Sequence, residues 1–476
     1  MAIGLLVSGT AAADIIQQFT TGDLVVSVEG DGSGTGSYTD NQAAPLTLFQ
    51  YSLNGAAPAS FAGSLELPQV ASGNNLPVSG EYGSSSEGTL QLSGNGQYLT
   101  IMGYGVSAAM FNANPAQYGA SPSNALGQSG SLTGQSYTPV ARVVALIDAN
   151  GNVNSSTAVY NVFNTNNPRS AYTLTGANGT GVYISGQGTG SDATGGVFLT
   201  TIGSTNNSPT AITGLDSTSN STSQDTRDVQ IYNGQLYVST DTKEGSGSAR
   251  SFVGTLGAAG TPPTSLANSG NGPTQLPTFG SSKTGQETLT ANNDNSVNSS
   301  AVGKTINLSP ESYFFANATT LYVADSGDTK QNSAQSSLGD GGLQKWTFNG
   351  TGWVLDYTLS AGLGLVTNSS SDGTSGLFGL TGQVEADGTV ELFATNYTLS
   401  DLDQTYLFGI TDTLSDMTAT QASGETFATL ATAPADSNFK GVSFAPTAAS
   451  TPEPASFALI FLGMTALFVT RHRKAN

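Results

Sequence analysis

Thr320–Leu359 reads TLYVADSGDTKQNSAQSSLGDGGLQKWTFNGTGWVLDYTL, and this stretch decides the fold. Thr320–Asp325 is a short run of β-branched and aromatic residues, and Gly342–Phe348 is a second one. Asn349-Gly350 then offers the left-handed turn that a tight hairpin needs, and Trp353–Leu359 returns as a further strand. Glu311–Ala316 supplies an apolar strand just before. Four short strands joined by turns are the unit of a β-propeller blade.

The unit recurs. Its best copies are Asp23–Val28, Gln97–Met102, Gly181–Ser185, Gln235–Thr240, Thr320–Asp325 and Thr389–Thr395. Several are entered through turn pairs that favour positive φ, namely Asn95-Gly96, Asn178-Gly179, Asn233-Gly234 and Asp387-Gly388. The copies lie 54 to 85 residues apart, wider than compact blades, because Gly/Ser/Thr/Asn-rich insertions such as 203–226, 257–309 and 361–375 intervene. The first copy lacks a preceding inner strand, whereas Asn438–Ala445 follows the last copy with no partner. Joining the two completes a blade and removes the exposed edges of an open array. The sequence therefore predicts an all-β fold, a six-bladed β-propeller with seven blades as the fallback; a β-sandwich array or a β-helix is the competing architecture.

Composition narrows the chemistry. The 476 residues include 60 Gly, 18 Pro, no Cys and one His, with 13 Lys+Arg against 33 Asp+Glu. Thirty-nine aromatic residues and many short apolar runs argue against disorder. The absence of Cys excludes disulfides, thiolate zinc sites, iron–sulfur clusters and a thiol nucleophile within the chain. Few cations on an acidic chain argue against nucleic acid as a partner. The single His472 lies beyond the last apolar run, so the body has no Ser-His-Asp triad and no His ligand.

The two ends carry targeting text. Residues 1–13, MAIGLLVSGTAAA, resemble the apolar core and small-residue cleavage site of a secretory signal, with Ala11 and Ala13 at the cleavage positions and no basic leader. At the other end Pro452, Glu453 and Pro454 precede an apolar run over 455–469, followed by Arg471, Arg473 and Lys474. The run predicts a short transmembrane helix over 455–470 whose basic flank stays cytoplasmic. This trio, in order over residues 450–476, resembles the PEP-CTERM sorting signal of exported bacterial proteins. The resemblance implies recognition and processing by an exosortase. The body resembles, in the wording GDLVVSVEGDGSG (22–34), LYVAD…GGLQKWTFNGTGW (321–353) and FKGVSFAPT (439–447), uncharacterised propeller-like members of the same group. The domain reading is a signal remnant over 1–13, a propeller body over 14–449 and a sorting tail over 450–476. Residues 1–450 hold 10 basic and 32 acidic residues, so the expected exported body is more acidic than the whole chain.

Carboxylates are the remaining catalytic candidates: Asp225 with Asp228, Asp325 with Asp328, Asp340, Asp356, and Asp401 with Asp403. A pair of them could hydrolyse a glycoside if its environment keeps one protonated; the plainer reading has them cap turns and solvate loops. Asp325-Ser326-Gly327-Asp328 follows a strong strand and belongs at a propeller face, where loops carry function. Glu29-Gly30-Asp31-Gly32 and Asn292–Asn295 offer oxygens for a structural Ca²⁺, although neither has EF-hand spacing. Tyr322, Trp346, Trp353 and Tyr357 could stack on sugars or pack inside a blade. The resulting expectation is a non-enzymatic cell-surface or matrix protein, with extracellular polysaccharide as its partner; the alternative is a secreted carbohydrate-active enzyme.

Overall fold

A computed structural model describes residues 15–34, 38–53, 57–174, 180–189, 193–213, 225–241, 251–268, 272–280, 286–290, 303–327, 338–367 and 372–448. The chain begins with β1 (Leu24–Gly30), β2 (Ala43–Ser52), β3 (Ser60–Glu66), β4 (Ser79–Glu81), β5 (Gln91–Leu92), β6 (Tyr98–Tyr104), the short helix α1 (Ala108–Ala113), β7 (Arg142–Asp148) and β8 (Val153–Val159). It continues through β9 (Pro168–Thr173), β10 (Gly181–Gly186), β11 (Gly196–Thr201), β12 (Thr205–Asn206) and β13 (Thr210–Ala211). Next come β14 (Thr226–Tyr232), β15 (Gln235–Thr240), β16 (Phe252–Leu256), β17 (Thr274–Gln275) and the hairpin of β18 (Gln286–Thr288) and β19 (Thr305–Asn307). The last third holds β20 (Pro310–Asn317), β21 (Thr320–Asp325), β22 (Gly342–Phe348), β23 (Trp353–Leu359), β24 (Thr374–Val384), β25 (Thr389–Thr398), β26 (Tyr406–Thr413), β27 (Ala428–Thr432) and β28 (Ser437–Phe444).

The fold is all-β and propeller-like. Four four-stranded sheets stand as separate blades: β9-β10-β11-β13, β14-β15-β16-β17, β20-β21-β22-β23 and β24-β25-β26-β27. Each is an up-and-down meander; Asn178-Gly179 lies outside the described residues, and the Asn233-Gly234 turn is as the sequence announces. Asn233 and Gly234 both take positive φ, +48° and +76°, so that Tyr232 pairs directly with Gln235. Edge strands of successive sheets touch in a closed series, β28 to β5, β5 to β9, β9 to β14, β14 to β20, β20 to β24 and β24 back to β28.

The expected count of six blades is corrected, and the seven-blade fallback with it. Beside the four blades runs one ten-stranded sheet, ordered β12-β8-β7-β6-β4-β2-β1-β28, with β3 on β2 and β5 on β6. The fusion has a local cause. At ten residues, β2 is longer than its neighbour β1, and its first residues Ala43–Pro45 extend beyond that neighbour to pair with Ser79–Glu81 of β4. Ser79 in turn pairs with Tyr104 of β6, so β4 bridges what would otherwise be two sheets. The ring closes as the unpartnered ends suggest: β28 lies antiparallel to β1, with Leu24 opposite Phe444 and Glu29 opposite Asn438.

Apolar side chains fill the spaces between sheets. Leu24, Val26 and Val28 of β1 meet Phe439 and Val442 of β28, Phe393 and Leu407 of the last blade, and Leu430 of β27. Trp346, Phe279, Leu321 and Val323 form a second core, with the Phe279 and Trp346 rings stacked 4.1 Å apart. The sorting tail and the expected transmembrane helix over 455–470 lie outside the described residues, as does the signal remnant. Among the described residues no helix is long and apolar enough to cross a membrane.

Candidate functional site

The edge strands that form the ring carry the buried charges Arg169, Arg227, Asp228, Glu311 and Lys440. Arg227 of β14 sits at the centre of one group. Its Nη1 donates to both Glu311 oxygens at 3.0 and 2.8 Å, and its Nη2 donates to Asp241 Oδ2 at 3.0 Å. Its Nε lies 3.4 Å from Asp225 Oδ1, and Arg169 of β9 pairs with the same carboxylate. Arg169 Nη2 also donates to Gln187 Oε1 at 2.9 Å. Asp241 accepts further bonds from Ser309 Oγ at 2.9 Å and Ser251 Oγ at 3.1 Å. A fork of donors held by several carboxylates offsets the cost of taking each charge out of water. The carboxylates around Arg227 hold its guanidinium charged despite burial.

Asp225 and Asp228 are buried three residues apart on partners of different kinds. Asp228 accepts hydrogen bonds from the hydroxyls of Ser312 at 2.7 Å and Ser170 at 3.1 Å, together with one from Gln91. Burial pushes its carboxyl up to about 6, and those bonds pull it back. Asp325 is fully buried rather than displayed at a loop face. Its oxygens accept from the Ser309 and Gly327 amides and from Gln344 Nε2, at 2.8 to 2.9 Å, and burial pushes it up to about 7. Its proposed companion Asp328 lies outside the described residues.

A second group gathers where β1, β4, β7 and β28 meet. Arg142, wholly buried, spends its donors on the Ser129, Phe163 and Asn166 carbonyls and stacks on Tyr104, 4.6 Å from the ring centroid. Tyr104 and Asn167 donate to Glu87, as does the Glu81 amide at 3.2 Å. Glu81 itself accepts from the Gly127 amide, and burial, aided by the charge on Glu87, pushes it up to about 8. Lys440 of β28 donates to the Ser84 carbonyl, with its Nζ 3.7 Å from Glu29 Oε2. Farther out, the fully buried Lys345 Nζ donates to Asp412 at 2.8 Å and to Tyr357 Oη at 2.9 Å.

The remaining sequence candidates do structural work. Asp340 pairs with Lys304. Asp356 accepts from Thr347 Oγ1 at 3.0 Å, and burial pushes it up to about 6. Asp403 caps a turn by accepting from the Gly373 and Ser400 amides at 2.9 Å, and the Asp401 carbonyl accepts from Asn438 Nδ2 at 3.1 Å. Tyr322, Trp346, Trp353 and Tyr357 are buried packing residues. Of the calcium candidates, Asp31 accepts from the Ser33 amide and Tyr38 Oη instead of joining Glu29, and Asn292–Asn295 lie outside the described residues. Among the described residues no three acidic, His or Cys side chains cluster as metal ligands. Ala11, Ala13, Pro452, Glu453, Pro454, Arg471, Arg473 and Lys474 also fall outside them.

Sequence reasoning passed over Arg142, Arg169, Arg227, Lys345 and Lys440, the cations that organise these groups. One signal was available. Cations are scarce in this chain, and Arg142, Lys345 and Lys440 interrupt runs that otherwise read as apolar strands.

The described surface has two adjoining clefts between the first strands and the last blade, with Leu430 of β27 in the wall of both. One, of about 420 Å³, is lined by Phe49, Tyr51, Phe61 and Pro58, with Asp31 and Ser64 as polar groups. Phe61 is 45% exposed and packs edge-on against Phe49 and Tyr51, at 5.3 and 5.7 Å between centroids. The other, of about 470 Å³, contains Glu391 and Gln383, which bond to one another at 2.8 Å.

No family model matches the chain, and no curated protein matches it. Among solved structures it is similar to apo AztD from Citrobacter koseri, at 7% identity over 90% of this chain and 98% of that one, with a TM-score of 0.31. A second structure of Citrobacter koseri AztD gives 8% identity over 90% and 100%, with a TM-score of 0.30.

Proposed function

We propose that this chain is an exported, non-enzymatic propeller protein of the cell surface or extracellular matrix that binds polysaccharide. One observation carries the reading: among the described residues, the buried carboxylates that the sequence and the ring bring together are committed to internal partners. Asp225, Asp241 and Glu311 hold two arginines, Asp228 and Asp325 are saturated with hydroxyl, amide and side-chain donors, and Asp412 holds Lys345. A glycoside hydrolase needs two carboxylates facing each other across an open pocket. The described clefts instead present aromatic walls with Asp31 in one and Glu391 in the other, an arrangement suited to holding a ligand. Phe61 offers the exposed face on which a sugar ring can stack, and Asp31 and Ser64 offer polar partners for its hydroxyls.

Export and sorting rest on the sequence of the two ends, with Ala11 and Ala13 at the cleavage site and Pro452-Glu453-Pro454 as the motif an exosortase would read. Residues 455–470 then serve as a temporary membrane anchor, stopped by Arg471, Arg473 and Lys474. Two measurements test the proposal. Mass spectrometry of the mature protein from an exosortase-bearing host should show a C-terminus upstream of residue 455; protein retaining 455–476 would overturn the sorting assignment. Phe61→Ala should weaken retention on the host's polysaccharide about tenfold, the order expected when one aromatic contact worth about 1.5 kcal/mol is removed. Unchanged retention would remove the cleft from the proposal.

A further inference from the structure

At the seam where the ring closes, three buried acceptor atoms have nothing donating to them. Glu29 of β1 and Asn438 of β28 stand directly opposite each other in an antiparallel pair, so their side chains leave the sheet on the same face. Glu29 is wholly buried and Asn438 is 3% exposed. No donor reaches either Glu29 oxygen or Asn438 Oδ1 with hydrogen-bond geometry, and the Gly83 amide is the backbone group that acts on the Glu29 carboxyl. The Asn438 amide group has been used elsewhere, on the Asp401 carbonyl, which fixes Oδ1 as the end that lacks a donor. Buried polar atoms of folded proteins are almost always satisfied, so three unmet acceptors on two facing residues indicate a missing donor.

We propose that the missing donor is a proton on Glu29, which bonds across the seam to Asn438 and makes closure of the ring pH-dependent. One added proton turns one Glu29 oxygen into a donor and satisfies Asn438 Oδ1, which leaves Oε2 facing the Lys440 ammonium at 3.7 Å. A bound cation is the less economical answer, because the Lys440 ammonium already stands 3.7 Å from Glu29 Oε2. The titratable groups facing Glu29 are Lys440 of β28, Glu81 of β4, and Tyr82 and Glu87 of the segment between β4 and β5. Burial raises the Glu29 carboxyl well above its ordinary range, Lys440 lowers it, and the two glutamates raise it further. The sign follows: the latch is fully engaged below the ordinary glutamate value and is lost as pH rises through the higher value of the folded protein.

Amide hydrogen exchange on the full chain reads the latch directly. After correction for intrinsic rates, the opening constant of residues 437–444 should rise by up to about tenfold per pH unit between the ordinary glutamate value and the raised value of the folded protein, and level off above it, as expected for one linked proton. Glu29→Gln supplies a permanent donor, so its seam should keep the acid-side protection at pH 8. Asn438→Ala removes the acceptor and should abolish that advantage of Glu29→Gln in the double variant. A wild-type seam whose opening constant ignores pH overturns the proposal, and this arm needs no variant to fold. Equal pH responses in wild type and Glu29→Gln overturn it too. If 1 mM Ca²⁺ protects the wild-type seam at pH 8 but leaves the Glu29→Gln seam unchanged, the missing group is a cation and the proton latch is wrong.

Discussion

Arg227 shows how this body handles charge at the scale of one residue. It lies 84 positions from Glu311 and 14 from Asp241, yet it bonds to both at 3.0 Å or less. Removing it would leave Asp225, Asp241 and Glu311 buried with only Arg169 in reach, and an uncompensated buried charge costs on the order of 3–5 kcal/mol. Arg227→Met is therefore expected to lower stability by about that amount in a urea titration. Arg227→Met combined with Asp241→Asn and Glu311→Gln should recover part of the loss, because the orphaned charges go with their partner. The sequence could name Asp225 and Asp228 as an interesting pair, but not that one would hold arginines while the other took hydroxyls. Arg169, Ser170, Glu311 and Ser312 come from strands far apart in the chain, and the packing of β14 against β9 and β20 brings them together. What the sequence does show is the oddity of a cation within a strand, and each of Arg142, Arg169, Arg227, Lys345 and Lys440 proved to be buried among acceptors.

At the scale of the element, strand text was legible wherever alternation and turn chemistry agreed. Gln235–Thr240 and Thr320–Asp325 begin and end where the residues suggest, because an Asn-Gly turn or a β-branched run leaves little choice. The element that altered the architecture, β4, is Ser-Gly-Glu, which has no strand propensity; it pairs because β2 overruns β1 and leaves backbone groups to satisfy. The closing strand β28 was legible from the absence of a partner, and it carries the clearest prediction at this scale. Phe439 is fully buried and sits edge-on to Phe49 and Tyr51, with centroids 6.2 and 6.0 Å away. Phe439→Ala should cost about 3–5 kcal/mol. Detachment of β28 would also uncover the edge of β1, so the variant should form dimers or aggregates in light scattering at concentrations where the parent stays monodisperse. A stable variant with unchanged scattering would mean that the seam contributes little to holding the ring.

For the whole molecule, the scarcity of cations and the absence of histidine in residues 1–450 leave acidic groups to set the response to pH. Asp228 is pushed up to about 6, Asp325 to about 7 and Glu81 to about 8, each chiefly by burial. In the unfolded chain the same groups titrate near 4. Between about pH 4 and pH 8 the folded state therefore binds more protons than the unfolded one, and stability must fall as pH rises through that window. Their contribution is fully present below pH 4 and is lost as each carboxyl ionises in the fold. Repulsion across a body with 32 acidic and 10 basic residues in positions 1–450 acts in the same direction, since it grows as the last carboxyls lose their protons. The urea midpoint should accordingly be higher at pH 5 than at pH 8, by an amount equivalent to roughly 2 kcal/mol or more. Salt separates the two causes. Raising ionic strength at pH 8 screens surface repulsion and should restore part of the midpoint, while the share due to buried Asp228 and Asp325 stays lost because those sites are shielded from ions. A midpoint that rises from pH 5 to pH 8 would mean that these carboxylates are ionised in the fold and stabilised by their donors. The internal bonds that make Asp228 and Asp325 poor catalysts would then also have removed their pH dependence.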